Sequence, residues 1–84
     1  MSESGNIVKN VVEYIVTQIV ESEDEVKVDV ASLTDDKVAI EVRTSSNDMG
    51  RVIGKRGRVA RAIRTVAQAA ADEEGLDSSV EFID

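Results

Sequence analysis

The chain has no cysteine and no histidine. The first absence removes a disulfide framework and a thiolate metal site; the second removes the commonest general base and metal ligand. Tryptophan is also absent, and Tyr14 and Phe82 are the whole aromatic complement. No apolar run approaches the roughly 20 residues needed to span a bilayer. The opening Met1-Ser2-Glu3-Ser4-Gly5 lacks the basic stretch of a secretory signal. A soluble, cytoplasmic protein is expected, without cofactor or metal. The carboxylates are scattered through a chain of net charge -7 and fit a solvated surface better than a catalytic pair, so no catalytic residues are expected.

Positive charge is scarce, and its distribution is uneven. Arg51, Lys55, Arg56, Arg58, Arg61 and Arg64 are six of only ten basic residues, and no acidic residue falls between Met49 and Ala71. The rest of the chain carries four basic and seventeen acidic side chains. A uniformly solvated surface gives no reason for such clustering, and the partner it implies is an anion.

Eighty-four residues make one compact domain, 1–84, with residues 1–5 expected to be flexible. From Ile7 the apolar residues fall in two adjacent rows, Ile7, Val11, Ile15, Ile19 and Val8, Val12, Val16, Val20. This is a helix with one buried stripe, which Ser4 or Asn6 can cap. Its β-branched composition gives modest helix propensity, so its stability must come from packing. The acidic Glu21, Glu23, Asp24 and Glu25 end the pattern in a solvated connection.

Val26, Val28 and Val30, then Val38, Ile40 and Val42, alternate with other residues at the period of half-buried strands. Thr34-Asp35-Asp36 between them is of hairpin length, so the pair is antiparallel. Ser46 or Asn47 can cap a short helix running through Met49 to Ile53. After Gly57, Val59, Ala62, Ile63, Val66, Ala69 and Ala70 are expected on the buried face of another helix, with Arg58, Arg61, Arg64 and Gln68 toward the other. Gly75 is a left-handed C-cap, with Leu76 folding back onto the helix. Asp72, Glu73 and Glu74 lie at the negative end of that helix dipole, and only solubility accounts for them. Val80 and Phe82 form a last strand. It is reached by a helical crossover, which predicts parallel pairing with the Val38 strand. The expected class is α+β, in the order α-β-β-α-α-β, with a three-stranded mixed sheet and the helices packed on one face.

The centre of this plan is Val52-Ile53-Gly54-Lys55-Arg56-Gly57-Arg58. Two helices meeting at Gly-x-x-Gly leave backbone amides that neither can satisfy, and an anion can. The glycines permit a sharp turn and close approach of a phosphate-sugar backbone. Cations at a helix N-terminus oppose its dipole unless a bound anion lies between them. A bare Gly-x-x-Gly is most often just a tight turn; the apolar run-in, the six cations and the amphipathic helix carrying them raise it above that. A nucleotide-binding P-loop is excluded, because Gly50 to Gly54 is one residue short and Arg56 stands where the magnesium-binding hydroxyl belongs. The dinucleotide fingerprint Gly-x-Gly-x-x-Gly is also missing.

The stretch Val52 to Ile63 resembles the KH-domain signature, Val-Ile-Gly-x-x-Gly followed by an Ile six residues after the second glycine. The element order resembles the type II KH fold. Over nearly the whole chain, and most closely in Asp48 to Arg58, the sequence resembles the small bacterial KhpA family, in which one KH domain is the entire protein. Some members have a proline in the connection after the first helix, where this chain has Ser22-Glu23-Asp24-Glu25 and no proline anywhere.

The resemblance implies single-stranded RNA lying in a groove beside the loop, with about four nucleotides held by their backbone. Gly54 and Gly57 would allow the approach, and Lys55 and Arg56 would contact phosphate. Arg58, Arg51 and Arg61 add charge. Val52, Ile53 and the apolar edge of the second helix would lie under the bases. With neither aromatic residue in the motif, stacking is a minor source of affinity. The resemblance further implies self-association, pairing with a larger KH-containing partner (KhpB, or Jag), and an RNA-chaperone role in post-transcriptional control and cell-envelope and cell-shape homeostasis. The alternative is a protein-interaction or dimerisation domain whose loop is vestigial.

Overall fold

A computed structural model of the chain describes residues 5–83. The order is α1 (Asn6–Ile19), a 3-10 turn (Glu23–Glu25), β1 (Lys27–Leu33), β2 (Lys37–Arg43), α2 (Ser46–Ile53), a second 3-10 turn (Lys55–Gly57), α3 (Arg58–Asp72) and β3 (Asp77–Ile83). This is the α-β-β-α-α-β order expected, with a three-stranded mixed sheet and three helices, as in a KH domain.

The strands are arranged β1-β2-β3. Thr34 closes the hairpin: its amide donates to the Lys37 carbonyl at 2.8 Å. The antiparallel register runs from Lys27 opposite Arg43 to Leu33 opposite Val38, with a bulge between Val30 and Ser32. β3 lies parallel to β2, with Ile40 opposite Val80 and Val42 opposite Phe82. Val28, Val38, Ile40, Val42 and Val80 form the buried face of the sheet, and Val8, Val12 and Val16 of α1 join them in the core. Of the two apolar rows on α1, only the second is buried; Ile7 is exposed and Val11, Ile15 and Ile19 sit at the margin.

The face of α3 also differs from the expected one. Its buried residues are Ala60, Ile63, Ala67 and Ala71. Ala62, Val66 and Ala69, expected inside, are exposed. The reason is packing distance: α3 lies against both α1 and β3, and alanine lets a helix backbone approach closely where a larger side chain would hold it away. The apolar row holding Val66 is thereby turned outward beside α1.

The helix ends follow local chemistry. Ser45 caps α2, one residue before the expected position, its hydroxyl accepting from the Asp48 amide at 3.3 Å. Gly75 is left-handed, with φ 71°. The Leu76 amide donates to the Ala71 carbonyl and the Gly75 amide to the Asp72 carbonyl, which is the expected Schellman closure with Leu76 buried. At α1 the N-cap is Gly5, without side-chain capping, in place of Asn6; Ser4 lies outside the described residues. Gly5 donates its amide to Glu74 Oε1 at 3.2 Å. A carboxylate from the end of α3 thus satisfies the positive end of α1, which gives Glu74 a role beyond solubility. Of the expected flexible segment, residues 1–4 lie outside the described residues, whereas Gly5 is buried.

Candidate functional site

The α2–α3 junction is shaped by three successive backbone decisions. The Gly54 amide closes α2 on the Gly50 carbonyl at 2.8 Å, and Gly54 then takes φ 74°, ψ 171°. That region is essentially restricted to glycine. Arg56 (φ 59°, ψ 24°) and Gly57 (φ 70°, ψ 19°) follow, both left-handed. Arg56 is the one described non-glycine residue with positive φ. Such a conformation costs about 1–2 kcal/mol, and strain of this kind gathers at ligand-binding loops.

No side chain caps the N-terminus of α3; instead the Gly57 amide donates to the Gly54 carbonyl at 3.1 Å and the Arg58 amide to the Lys55 carbonyl, so the turn itself occupies these amides. Lys55, Arg56, Arg58 and Arg61 surround them and are all exposed. The ion pairs among the described residues join Lys9 to Glu13, Arg43 to Glu41, and Arg51 to both Glu21 and Asp48. None takes up these four cations. These exposed cations gather at the turn and the start of α3, an arrangement that suits an anion such as a phosphodiester.

Three motif residues play parts that the sequence does not separate. Val52 has no exposed surface and supports the loop from the core. Ile53, the next residue, is 37% exposed and stands beside the glycines. Arg51 points back toward the connection after α1: its Nε lies 3.3 Å from Asp48 Oδ1 and its Nη2 lies 3.3 Å from Glu21 Oε2.

Asp48, given no part of its own by the sequence pattern, anchors the start of α2. It is the one buried charged side chain among the described residues. The Glu21 amide donates to Oδ1 at 3.1 Å, the Ser22 amide to Oδ2 at 3.0 Å, and the Ser45 hydroxyl to Oδ2 at 3.1 Å. The Glu21 amide, followed by that of Ser22, holds its pKa below the ordinary 3.8, with Ser45 and Arg51 assisting against the cost of burial. Asp48 therefore ties the connection after α1 to the first turn of α2 and fixes the helix that delivers the loop. The signal was available: Ser45-x-x-Asp48 is a capping-box spacing, and Arg51 follows at i+3.

The geometry of a KH domain is accompanied by similarity along nearly the whole chain. The family model described as KhpA/KhpB, KH domain, matches residues 9–82. The chain belongs to this KH-domain family. It is 40% identical over 84 residues to the RNA-binding protein KhpA of Borreliella burgdorferi, covering 100% of both chains. It is 43% identical over 75 residues to that of Clostridium perfringens, covering 89% of this chain and 99% of the relative. With that of Bacillus subtilis it shares 36% over 76 residues, covering 90% and 93%. These relatives are named for RNA binding and not for an enzymatic reaction. No solved structure gives a significant match to this chain.

Proposed function

We propose that this protein is an RNA-binding module without catalytic activity, holding the backbone of single-stranded RNA at the Gly54-Lys55-Arg56-Gly57 loop. The observation that carries this reading is the coincidence of a strained left-handed turn, a helix N-terminus with no side-chain cap and four cations outside the ion pairs of the described residues. Lys55, Arg56 and Arg58 meet phosphate, and Arg61 extends the charge along α3. Ile53 offers apolar surface to a base. Val52 and Arg51 act from behind the loop, as packing support and as a link to the Asp48 anchor. The relatives named RNA-binding protein KhpA support the assignment of RNA as the anion.

Lys55→Asp with Arg56→Asp tests the clamp. Both residues are exposed, so thermal stability is retained while RNA binding is abolished. Three or four phosphate contacts on a single strand give a log-log salt slope of roughly -2 to -3. A salt-independent affinity, or an undiminished double variant, overturns the clamp.

The whole chain acts as one KH domain in the cytoplasm, serving as an RNA chaperone in post-transcriptional control linked to cell-envelope and cell-shape homeostasis. The sequence resemblance supports this wider role. It also supports self-association and pairing with a KhpB/Jag-type partner. Among the described helices none is long and apolar enough to cross a membrane.

A second observation favours the interaction role. Ile7, Tyr14 and Val66 are 47%, 67% and 44% exposed and, with Val11 and Ile15, line a shallow apolar depression between α1 and α3. Such a contiguous apolar surface fits self-association. Tyr14→Glu with Val66→Glu converts a dimer to a monomer in analytical ultracentrifugation; an unchanged sedimentation profile removes this surface from the assembly.

A further inference from the structure

By composition α2 is a poor helix. Of Ser46-Asn47-Asp48-Met49-Gly50-Arg51-Val52-Ile53, only Met49 and Arg51 are strong helix formers, and so short a segment does not hold a helix in isolation. Gly50 has no packing reason either, since a Cβ there would meet nothing within 4 Å. The helix is therefore held from outside. Met49 and Val52 are buried in the core and lie one turn apart on one face, defining a line about which a short helix can still roll.

The third point of attachment is Asp48. Its two oxygens accept from the amides of successive residues, Glu21 at 3.1 Å and Ser22 at 3.0 Å, which belong to the connection after α1. That connection is itself fixed. Val20 is buried with its amide on the Val16 carbonyl at 3.1 Å, and the Glu25 amide donates to the Ser22 carbonyl at 3.0 Å. The Ser45 hydroxyl and the Arg51 guanidinium complete the surroundings of the carboxylate.

The loop is built directly on this mount. The Gly54 amide closes on the Gly50 carbonyl at 2.8 Å, so Lys55 and Arg56 take their position from α2, and Gly54 stands only about 9 Å along the helix from Asp48. A roll of α2 carries the whole turn with it.

Resting on the RNA-binding reading above, we propose that Asp48 is a positioning residue of the RNA site: it ties α2 to the connection after α1 and so holds the Gly54–Gly57 loop in the orientation that grips RNA. At 1% exposure it meets no ligand itself. A site that is only fractionally in its binding form loses affinity by that fraction, and a hydrogen bond to a charged group is worth roughly a power of ten in an equilibrium constant. Asp48→Asn keeps the shape but turns one acceptor into a donor facing a backbone amide, so one such bond is lost. The direction of the effect is diagnostic. Removing a carboxylate near the RNA raises affinity by electrostatics alone, whereas loosening the mount lowers it.

The test is titration of a labelled uridine decamer by fluorescence anisotropy, well below the melting temperature of each protein. Asp48→Asn binds about tenfold more weakly than the wild type, with the same log-log salt slope, because the phosphate contacts are unchanged in number. Glu21→Gln also removes a carboxylate beside Arg51 but keeps the amide that Asp48 accepts, and it binds at least as tightly as the wild type. Ile40→Val lowers stability in the core of β2, away from the mount, and stays within about twofold. Ser45→Ala takes one hydroxyl from the carboxylate and falls between the wild type and Asp48→Asn; it reads the mount on its own if Asp48→Asn does not fold. Wild-type affinity in Asp48→Asn, or in Ser45→Ala where that stands alone, overturns the proposal. So does an equal loss in Ile40→Val, which assigns the effect to stability, or in Glu21→Gln, which assigns it to the Arg51 ion pair. A wild-type protein that does not bind the decamer refutes the RNA reading itself, which is a different outcome.

Discussion

The two glycines of the loop are not equivalent, and substituting alanine at each separates their roles. A Cβ on Gly54 would lie 2.5 Å from Val59 Cγ2, 2.9 Å from its Cβ and 3.0 Å from its backbone nitrogen. Two of those three atoms cannot rotate away. To this overpacking, worth about 1–3 kcal/mol, is added the strain of a non-glycine residue at φ 74°, ψ 171°, about another 1–3 kcal/mol. Gly54→Ala should therefore lose about 2–6 kcal/mol. A Cβ on Gly57 would meet nothing within 4 Å. Gly57→Ala bears only the left-handed cost of about 1–2 kcal/mol, partly offset by a stiffer unfolded chain.

Urea unfolding of the two variants measures the difference, and thermal melting should place Gly54→Ala below Gly57→Ala by several degrees, at about 4–8 °C per kcal/mol for a domain of this size. Adding Val59→Ala to Gly54→Ala removes the nearest clash but leaves the Cβ and nitrogen contacts. The double variant should be less than additive, with a coupling of about 1 kcal/mol. A Gly54→Ala cost below about 1 kcal/mol, or below that of Gly57→Ala, would show that Val59 does not confine Gly54.

Asp48 makes a pH-dependent contribution to stability. Because its folded pKa is lowered, that contribution is complete above the unfolded value near 3.8 and is lost as pH falls through the folded one. Melting temperature measured from pH 6 to pH 2 should fall less steeply for Asp48→Asn than for the wild type, and parallel curves would exclude the anchor. Arg56→Gly should leave stability unchanged or raise it by up to about 1 kcal/mol, since it relieves φ 59°, while weakening RNA binding measured by titration. On the open sheet face, Asp29 lies opposite Glu41 and Glu41 opposite Glu81, a row of three carboxylates that Arg43 relieves at Glu41. Glu81→Lys should stabilise by about 0.5 kcal/mol in low salt and by less in high salt, as urea unfolding at both ionic strengths will report.

What could be read without coordinates follows from short-range rules. The strand periods of Val38-Ile40-Val42 and Val26-Val28-Val30 specify one buried sheet face, and the polar Thr34-Asp35-Asp36 specifies the hairpin. Gly75 followed by Leu76 specifies the end of α3. The loop was legible for the same reason: glycines and cations at close spacing carry their conformational and electrostatic preferences with them.

Residues that act over long separations in the chain were not legible. Asp48 reaches the amides of Glu21 and Ser22, and Glu74 reaches that of Gly5. Neither partnership leaves a local pattern beyond the Ser45 capping box. The face of α3 was misassigned because helical periodicity marks apolar rows without saying which row the neighbours cover. With α1 and β3 both packed on this helix, small Ala60, Ala67 and Ala71 go inside and Val66 stays out. The sequence by itself determined the elements, their order and the turn that can hold a phosphate, because each depends on neighbours within a few residues. Only the tertiary structure decided that Arg51 is tied to Asp48 and that Arg64 is fixed between Val80 and Phe82. Which cations remain for a ligand depends on the groups that folding brings beside them.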